Sequence, residues 1–351
     1  MSKNTVKLKL ASIFFGILIA LLIAEVGLRV IKFMTFQNLD NIEFGNRTPI
    51  NQPNDELTLG QIIQISDNNK IIYQLIPNSS YQFKNVLVKT NDEGFKDKNY
   101  PKEKSKNTKR IIGIGDSGMF GWGVEEEECY LTQLENRLNK NDSLNFEIIN
   151  TSVPGYNTVM EVEVLEKKIQ LDQVDLVIID FITNDFELPS FIRKKPDFTT
   201  LEKSFFLMFF EGDFFSKKRK RDEWLIDSPM DKEGYFESKV ENVPDEYRNL
   251  VGKEAYVLAM KRLKELGDKH GFEIIVLSQS PHLKIPKIVT ETCDNLGLKF
   301  IDFAPHWEKY KSKNPTAQWK LSEHDWHPRA EGHREISNTL FEEIEKLGIF
   351  R

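Results

Sequence analysis

From residue 110 onward, short unbroken runs of β-branched and other apolar residues recur, each followed by a stretch with helical spacing. This alternation limits the possible folds more than any other feature of the chain. The runs lie at 111–114, 148–149, 176–181, 274–277 and 300–303. Runs this short and continuous predict strands covered on both faces, as in a parallel sheet. Between them, Leu131, Leu134 and Leu138 share a face in 126–139, and Leu250, Leu258, Leu263 and Leu266 do so in 247–268. Ile336, Leu340, Ile344 and Leu347 mark a last helix at about 331–347. Strands alternating with helices imply a doubly wound α/β sheet, whose ligands bind beyond the carboxyl ends of the strands. The chemistry is therefore sought just after each strand.

The amino-terminal segment has a different composition. Lys3, Lys7 and Lys9 precede an uncharged stretch from Leu10 to Ala24, and Glu25 then interrupts before the run continues to Leu28 and Arg29. A helix over 10–28 is roughly 28 Å long, close to the ~30 Å of a hydrocarbon core. A cleaved signal peptide shares the basic and apolar regions, but Leu22 stands where its cleavage site wants a small residue. An uncleaved anchor over 1–34 is the favoured reading. The three lysines favour a cytoplasmic amino terminus, and hence a single-pass protein with its body outside the cytoplasmic membrane. Residues 35–109 read as a polar stalk and then a small β-rich lead-in, with strand-like runs such as 80–89 and a turn at Asn91-Asp92-Glu93-Gly94.

Charge and cysteine content exclude several classes. The 48 basic and 54 acidic residues give a net charge of −6, without the basic excess of a nucleic-acid binder. Cys129 and Cys293 are too few for a disulfide framework and lack metal-ligand spacing.

Four segments carry candidate chemistry. After the first strand stands Gly113-Ile114-Gly115-Asp116-Ser117-Gly118-Met119. A serine at a strand-to-helix turn is placed as a nucleophile, and the helix offers N–H groups to a developing oxyanion. Met119 excludes the Gly-x-Ser-x-Gly elbow, and Thr151 and Ser152 stand where a dinucleotide site needs an acid. Glu125 to Glu128 read as partners of a helix macrodipole, not as a metal cluster. Asn150 to Thr158 follow the second strand, and Phe181-Ile182-Thr183-Asn184-Asp185 follow the third, where an Asn amide can point into the site. Near the carboxyl terminus, Glu323-His324-Asp325-Trp326-His327-Pro328 and His333 admit two readings. One is a metal site of His324, Asp325, His327 and His333. The other has His327 taking the serine proton while Asp325 holds its ring. The serine behind the first strand favours the second. His333 and Trp326 are expected to be structural, Trp326 packing under its loop.

Together, Gly115-Asp116-Ser117, Gly155, Asn184-Asp185 and Asp325-Trp326-His327-Pro328 resemble, in order, the four blocks of the SGNH or GDSL hydrolases, in particular membrane-anchored bacterial members. The resemblance covers 110–351, less an insertion at about 188–245. It implies a flavodoxin-like α/β/α domain and serine-based hydrolysis of acyl esters outside the cytoplasmic membrane, with no cofactor or metal. Ser117 would be the nucleophile, His327 the base and Asp325 its orienter. The Ser117 and Gly155 N–H groups and the Asn184 side chain would form the oxyanion hole. The family's acid usually stands three residues before the histidine, where this chain has His324, so Asp325 takes the role and Glu323 is the substitute. The substrate would be an ester, an acylated glycan or a lipid. Transfer to a sugar hydroxyl, a non-catalytic anchored binding module and a metal-dependent hydrolase are the rivals. The insertion places six phenylalanines in 205–215 ahead of a basic run at 217–221, and is expected to form a lid or membrane-contacting flap.

Overall fold

The computed structural model describes residues 3–36, 59–140, 144–182, 184–189, 204–211, 240, 243 and 245–350. Residues 37–58 of the stalk, Thr183, Phe214, Phe215 and the basic run lie outside the described residues. Two compact units emerge: Met1–Glu43 with Arg193–Trp224, and Phe44–Ile192 with Leu225–Arg351.

The first unit contains α1 (Lys3–Phe36), whose stretch Thr5–Ile31 is long and apolar enough to cross a membrane. In the second unit the lead-in comprises α2 (Leu59–Ile62), β1 (Ile63–Ile65), β2 (Tyr73–Leu75), β3 (Ser80–Phe83) and β4 (Val86–Lys89). The run at 80–89 is a hairpin, not one strand. Lys84 and Asn85 both take positive φ (53° and 64°) and turn β3 back onto β4.

The α/β body follows as β5 (Thr108–Ile114), α3 (Ser117–Phe120), α4 (Tyr130–Leu138), β6 (Asn145–Asn150), α5 (Thr158–Lys168) and β7 (Leu176–Asp180). After the insertion, whose described helix is α6 (Phe205–Phe210), come α7 (Gly252–His270), β8 (Glu273–Ser278), α8 (Lys287–Leu296), β9 (Lys299–Asp302) and α9 (Ala304–Lys313). The hairpin β10 (Lys320–Ser322) and β11 (Asp325–Pro328) and the last helix α10 (Ala330–Leu347) close the chain.

The five strands pair in parallel in the order β6-β5-β7-β8-β9. This is the flavodoxin-like 2-1-3-4-5 order, with the switch point beside its first strand. Successive strand residues serve opposite layers. Ile112, Ile114, Val177 and Ile179 pack with α5, α7, α8 and the lead-in, whereas Ile111, Leu176 and Ile178 pack with α4, α9 and α10. Burial on both faces explains the continuous apolar runs. The helix α5, absent from the sequence reading, is buried at Glu161 and Glu163 as well as at its apolar residues, so no amphipathic stripe marks it. Leu258, expected on the buried face of α7, is exposed. It stands five residues before Leu263, about 140° round a helix.

Candidate active site

The sheet order brings three loops to one place. β5 lies between β6 and β7, so the turn after β5, carrying Ser117, is flanked by the loops carrying Gly155 and Asn184. Asp116 caps α3 by accepting the Gly118 N–H (3.1 Å), and Gly121, at φ 77°, ends this single turn. Gly118 leaves room for the Gln279 amide, which a Cβ there would overlap, and Gln279 in turn donates to Asp180.

Two ties fix the second loop. The Val153 N–H donates to the Gly115 carbonyl (3.2 Å), and the lead-in residue Tyr73 donates its hydroxyl to the Pro154 carbonyl (2.9 Å). Tyr156 donates its hydroxyl back to the Tyr73 carbonyl. Gly155, between them, takes a φ of 80° that suits glycine. The third loop is shaped by Asp185, which accepts from the Ile182 N–H and the Thr158 hydroxyl, both at 2.7 Å. Asn184 donates from Nδ2 to Asp116 Oδ2 (3.1 Å), and its Oδ1 has no partner among the described residues. The assignment of its amide follows from Asp116, since the reverse would oppose two acceptors. One amide hydrogen is thereby held and the second is left available.

The fourth segment is a hairpin. Glu323 and His324 form its exposed turn, and Asp325 opens β11. A strand alternates faces with period two, so Asp325 and His327 share one face. His327 Nδ1 lies 2.6 Å from Asp325 Oδ1, and its Nε2 lies 2.8 Å from Ser117 Oγ. Asp325 Oδ1 also accepts the His327 backbone N–H (3.1 Å). With Nδ1–H given to Asp325, Nε2 is the acceptor for the serine hydroxyl. The spacing of two residues works because the segment is extended. Trp326 falls on the other face and is 62% exposed, not packed under the loop; Lys320 Nζ lies 3.1 Å from its ring centroid.

Trp122, which the sequence reading passed over, meets both partners. Its Nε1 donates to Asp325 Oδ2 (3.0 Å), and its ring stacks on His327 at 4.8 Å and 16°. Phe83, at the end of β3, meets its ring edge-on at 4.9 Å. The lead-in hairpin thus backs the residue that backs the histidine. The hydrogen bond from His327, together with that from the Trp122 N–H, holds the Asp325 carboxyl down at about 2 against the effect of burial.

Behind the serine lie buried carboxyls. Burial raises Asp116, despite the Gly118 and Asn184 donors, and raises Asp180 and Glu161 well above the carboxylate range, with neighbouring carboxyls adding to both. His324, Asp325, His327 and His333 do not converge as metal ligands. His324 is in the exposed turn, and His333 is fully buried, stacked on Tyr130 with its Nδ1 accepting the Tyr130 N–H (3.3 Å). Among the described residues no group of three or more His, Cys, Asp and Glu is placed to hold an ion. Cys129 and Cys293 are buried free thiols. Glu126–Glu128 form an exposed turn ahead of α4, where Glu125 and Glu128 make a capping box.

No protein-family model and no curated protein matches the chain. Solved structures with a similar fold include a putative lipolytic protein of the G-D-S-L family from Desulfitobacterium hafniense, at 12% identity and a TM-score of 0.39, covering 66% of this chain and 98% of that one. An acetylxylan esterase from Geobacillus stearothermophilus is 12% identical with a TM-score of 0.40, covering 68% and 94%. A lipase/acylhydrolase from Enterococcus faecalis is 14% identical with a TM-score of 0.38, covering 68% and 96%. At such values the chemistry is read from this chain's own residues.

Proposed function

We propose that this chain is a serine esterase of the SGNH type. The carrying observation is the continuous line of hydrogen bonds from Ser117 Oγ through His327 to Asp325, at 2.8 and 2.6 Å. In this reading Ser117 Oγ attacks the ester carbonyl and its proton passes to His327 Nε2. Asp325 holds the ring in the tautomer that leaves Nε2 free to accept, and stabilises the imidazolium once it forms. The carbonyl oxygen becomes an oxyanion facing the Ser117 and Gly155 N–H groups and the second amide hydrogen of Asn184. Among the described residues neither backbone N–H donates to a backbone carbonyl, which supports this role. The intermediate collapses as His327 returns its proton to the leaving alcohol. Water then repeats the sequence on the acyl-enzyme, releasing the acid and Ser117.

The helix α1 is proposed as a retained membrane anchor, with its basic end cytoplasmic and the esterase body on the other side. The length and apolar character of Thr5–Ile31 support this reading. The test of function is turnover of a panel of short- and long-chain acyl esters by the purified chain in detergent, with Ser117→Ala beside it. Hydrolysis that vanishes in the folded variant is expected. Equal turnover by both proteins would contradict the proposal.

A further inference from the structure

Within the first unit, the uncharged stretch of α1 ends at one acidic residue, Glu25. A carboxylate on a helix facing lipid is costly unless its lone pairs are occupied, and here they are. Glu25 Oε1 accepts from Arg29 Nε and the Phe205 N–H, both at 2.9 Å. Its Oε2 accepts from the Phe206 N–H (2.8 Å) and the Ser204 hydroxyl (2.9 Å). Three of these four donors come from the start of α6, about 180 residues along the chain. The contact is therefore between α1 and the insertion, not local to the helix.

The sequence of α6, Phe-Phe-Leu-Met-Phe-Phe, contains no polar residue. Phe205 is buried, with the Arg29 guanidinium 4.5 Å over its ring. Leu207, Phe209 and Phe210 are not covered, at 58%, 44% and 70% exposure. Most apolar side chains of α1 from Leu8 to Met34 are likewise exposed, so the two helices present adjoining apolar surfaces. Water is a poor partner for such a surface. Depth follows from helix geometry. Glu25 stands about 22 Å from Leu10, where the uncharged stretch begins, within a hydrocarbon layer of about 30 Å and toward the end remote from the lysines.

We propose that α6 is a second membrane-contacting element. Glu25 locks it to the anchor, and Leu207, Phe209 and Phe210 lie among acyl chains at the far boundary of the hydrocarbon layer. The partner of this surface is the bilayer. The inference rests on the reading of α1 as an anchor. It also gives Glu25 a purpose within the otherwise uncharged stretch 10–28.

The test uses the full chain in lipid vesicles, with the fluorophore NBD attached through Phe210→Cys in one preparation and Leu18→Cys in another. Cys129 and Cys293 are buried and shielded from the label. Both probes should be quenched by doxyl-labelled lipid and spared by aqueous iodide. Glu25→Ala should move the probe at 210, but not that at 18, from lipid to iodide quenching. Glu25→Gln, which keeps one acceptor oxygen, should retain part of the lipid quenching. A probe at 18 that is not quenched by lipid would overturn the anchor and the inference with it. A lipid-quenched probe at 18 beside a probe at 210 that is open to iodide, or reached by neither quencher, would overturn the inference alone. Indifference of the 210 probe to Glu25→Ala would refute the lock.

Discussion

Trp122→Phe removes one hydrogen bond and keeps a ring. The lost bond is Trp122 Nε1 to Asp325 Oδ2, 3.0 Å long, with a charged acceptor. Bonds to charged groups contribute about 1.5–3 kcal/mol. The low end applies here, because the Asp325 side chain is 23% exposed and water can take the vacated position. Only the part that holds His327 in line as it becomes charged reaches the transition state. About 1–1.5 kcal/mol is expected there, a loss of roughly 5- to 12-fold in kcat. Trp122→Leu also removes the ring that stacks on His327 at 4.8 Å, and adds about 0.5–1.5 kcal/mol to the loss. The assay is steady-state hydrolysis of a soluble acetyl ester, with urea melts to establish folding. KM should hold for the phenylalanine variant, because Trp122 acts through the Asp325–His327 pair that it touches. A rise in KM at constant kcat would make Trp122 a substrate contact. An unchanged kcat in both variants would refute the positioning argument.

Asn184→Ala should lower kcat by about 10²–10³ with little change in fold, as loss of one oxyanion donor does; an effect confined to KM would assign Asn184 to substrate binding. Asp325→Asn should damage turnover far more than Glu323→Gln, since Glu323 lies in the exposed hairpin turn, and the reverse order would move the carboxylate role. His333 supplies a pH prediction. Burial, with the nearby positive charge of Lys96, pushes its ring from 6.5 down to about 3. Between those values the unfolded chain binds a proton that the folded chain does not, so its contribution to stability falls by up to about 1.4 kcal/mol per unit as pH drops. His333→Phe should therefore have an acid stability profile less steep than the parent between about pH 6 and pH 4, and parallel urea profiles would contradict the assignment.

The strands of the sheet were readable because burial on both faces leaves a mark in the sequence itself. Ile111 and Ile112 serve different layers, yet both must be apolar. Helix α5 left no such mark, because it buries Glu161 and Glu163 alongside Val162 and Val164. Ser117, His327 and Asp325 were legible from residue type, position after a strand and order along the chain. The support behind them was not. Trp122 reaches Asp325 from 203 residues away, and nothing local to it predicts that contact. Asp116 stood beside the serine, yet its hold on Asn184 depends on the adjacency of β5 and β7. Tyr73 on Pro154 and Phe83 on Trp122 likewise join the lead-in to the loops that carry the chemistry, across 81 residues in the first case. The exposure of Trp326 follows from strand alternation, which became visible only once 325–328 proved extended.

The central claim is that Ser117 is a nucleophile activated by His327. A fluorophosphonate probe applied to the folded full chain, with the modified peptide identified by mass spectrometry, tests it most directly. The expected result is a single adduct on Ser117, abolished by Ser117→Ala and slowed by orders of magnitude in His327→Ala. An adduct elsewhere, or labelling of Ser117 at an equal rate without His327, would contradict the account.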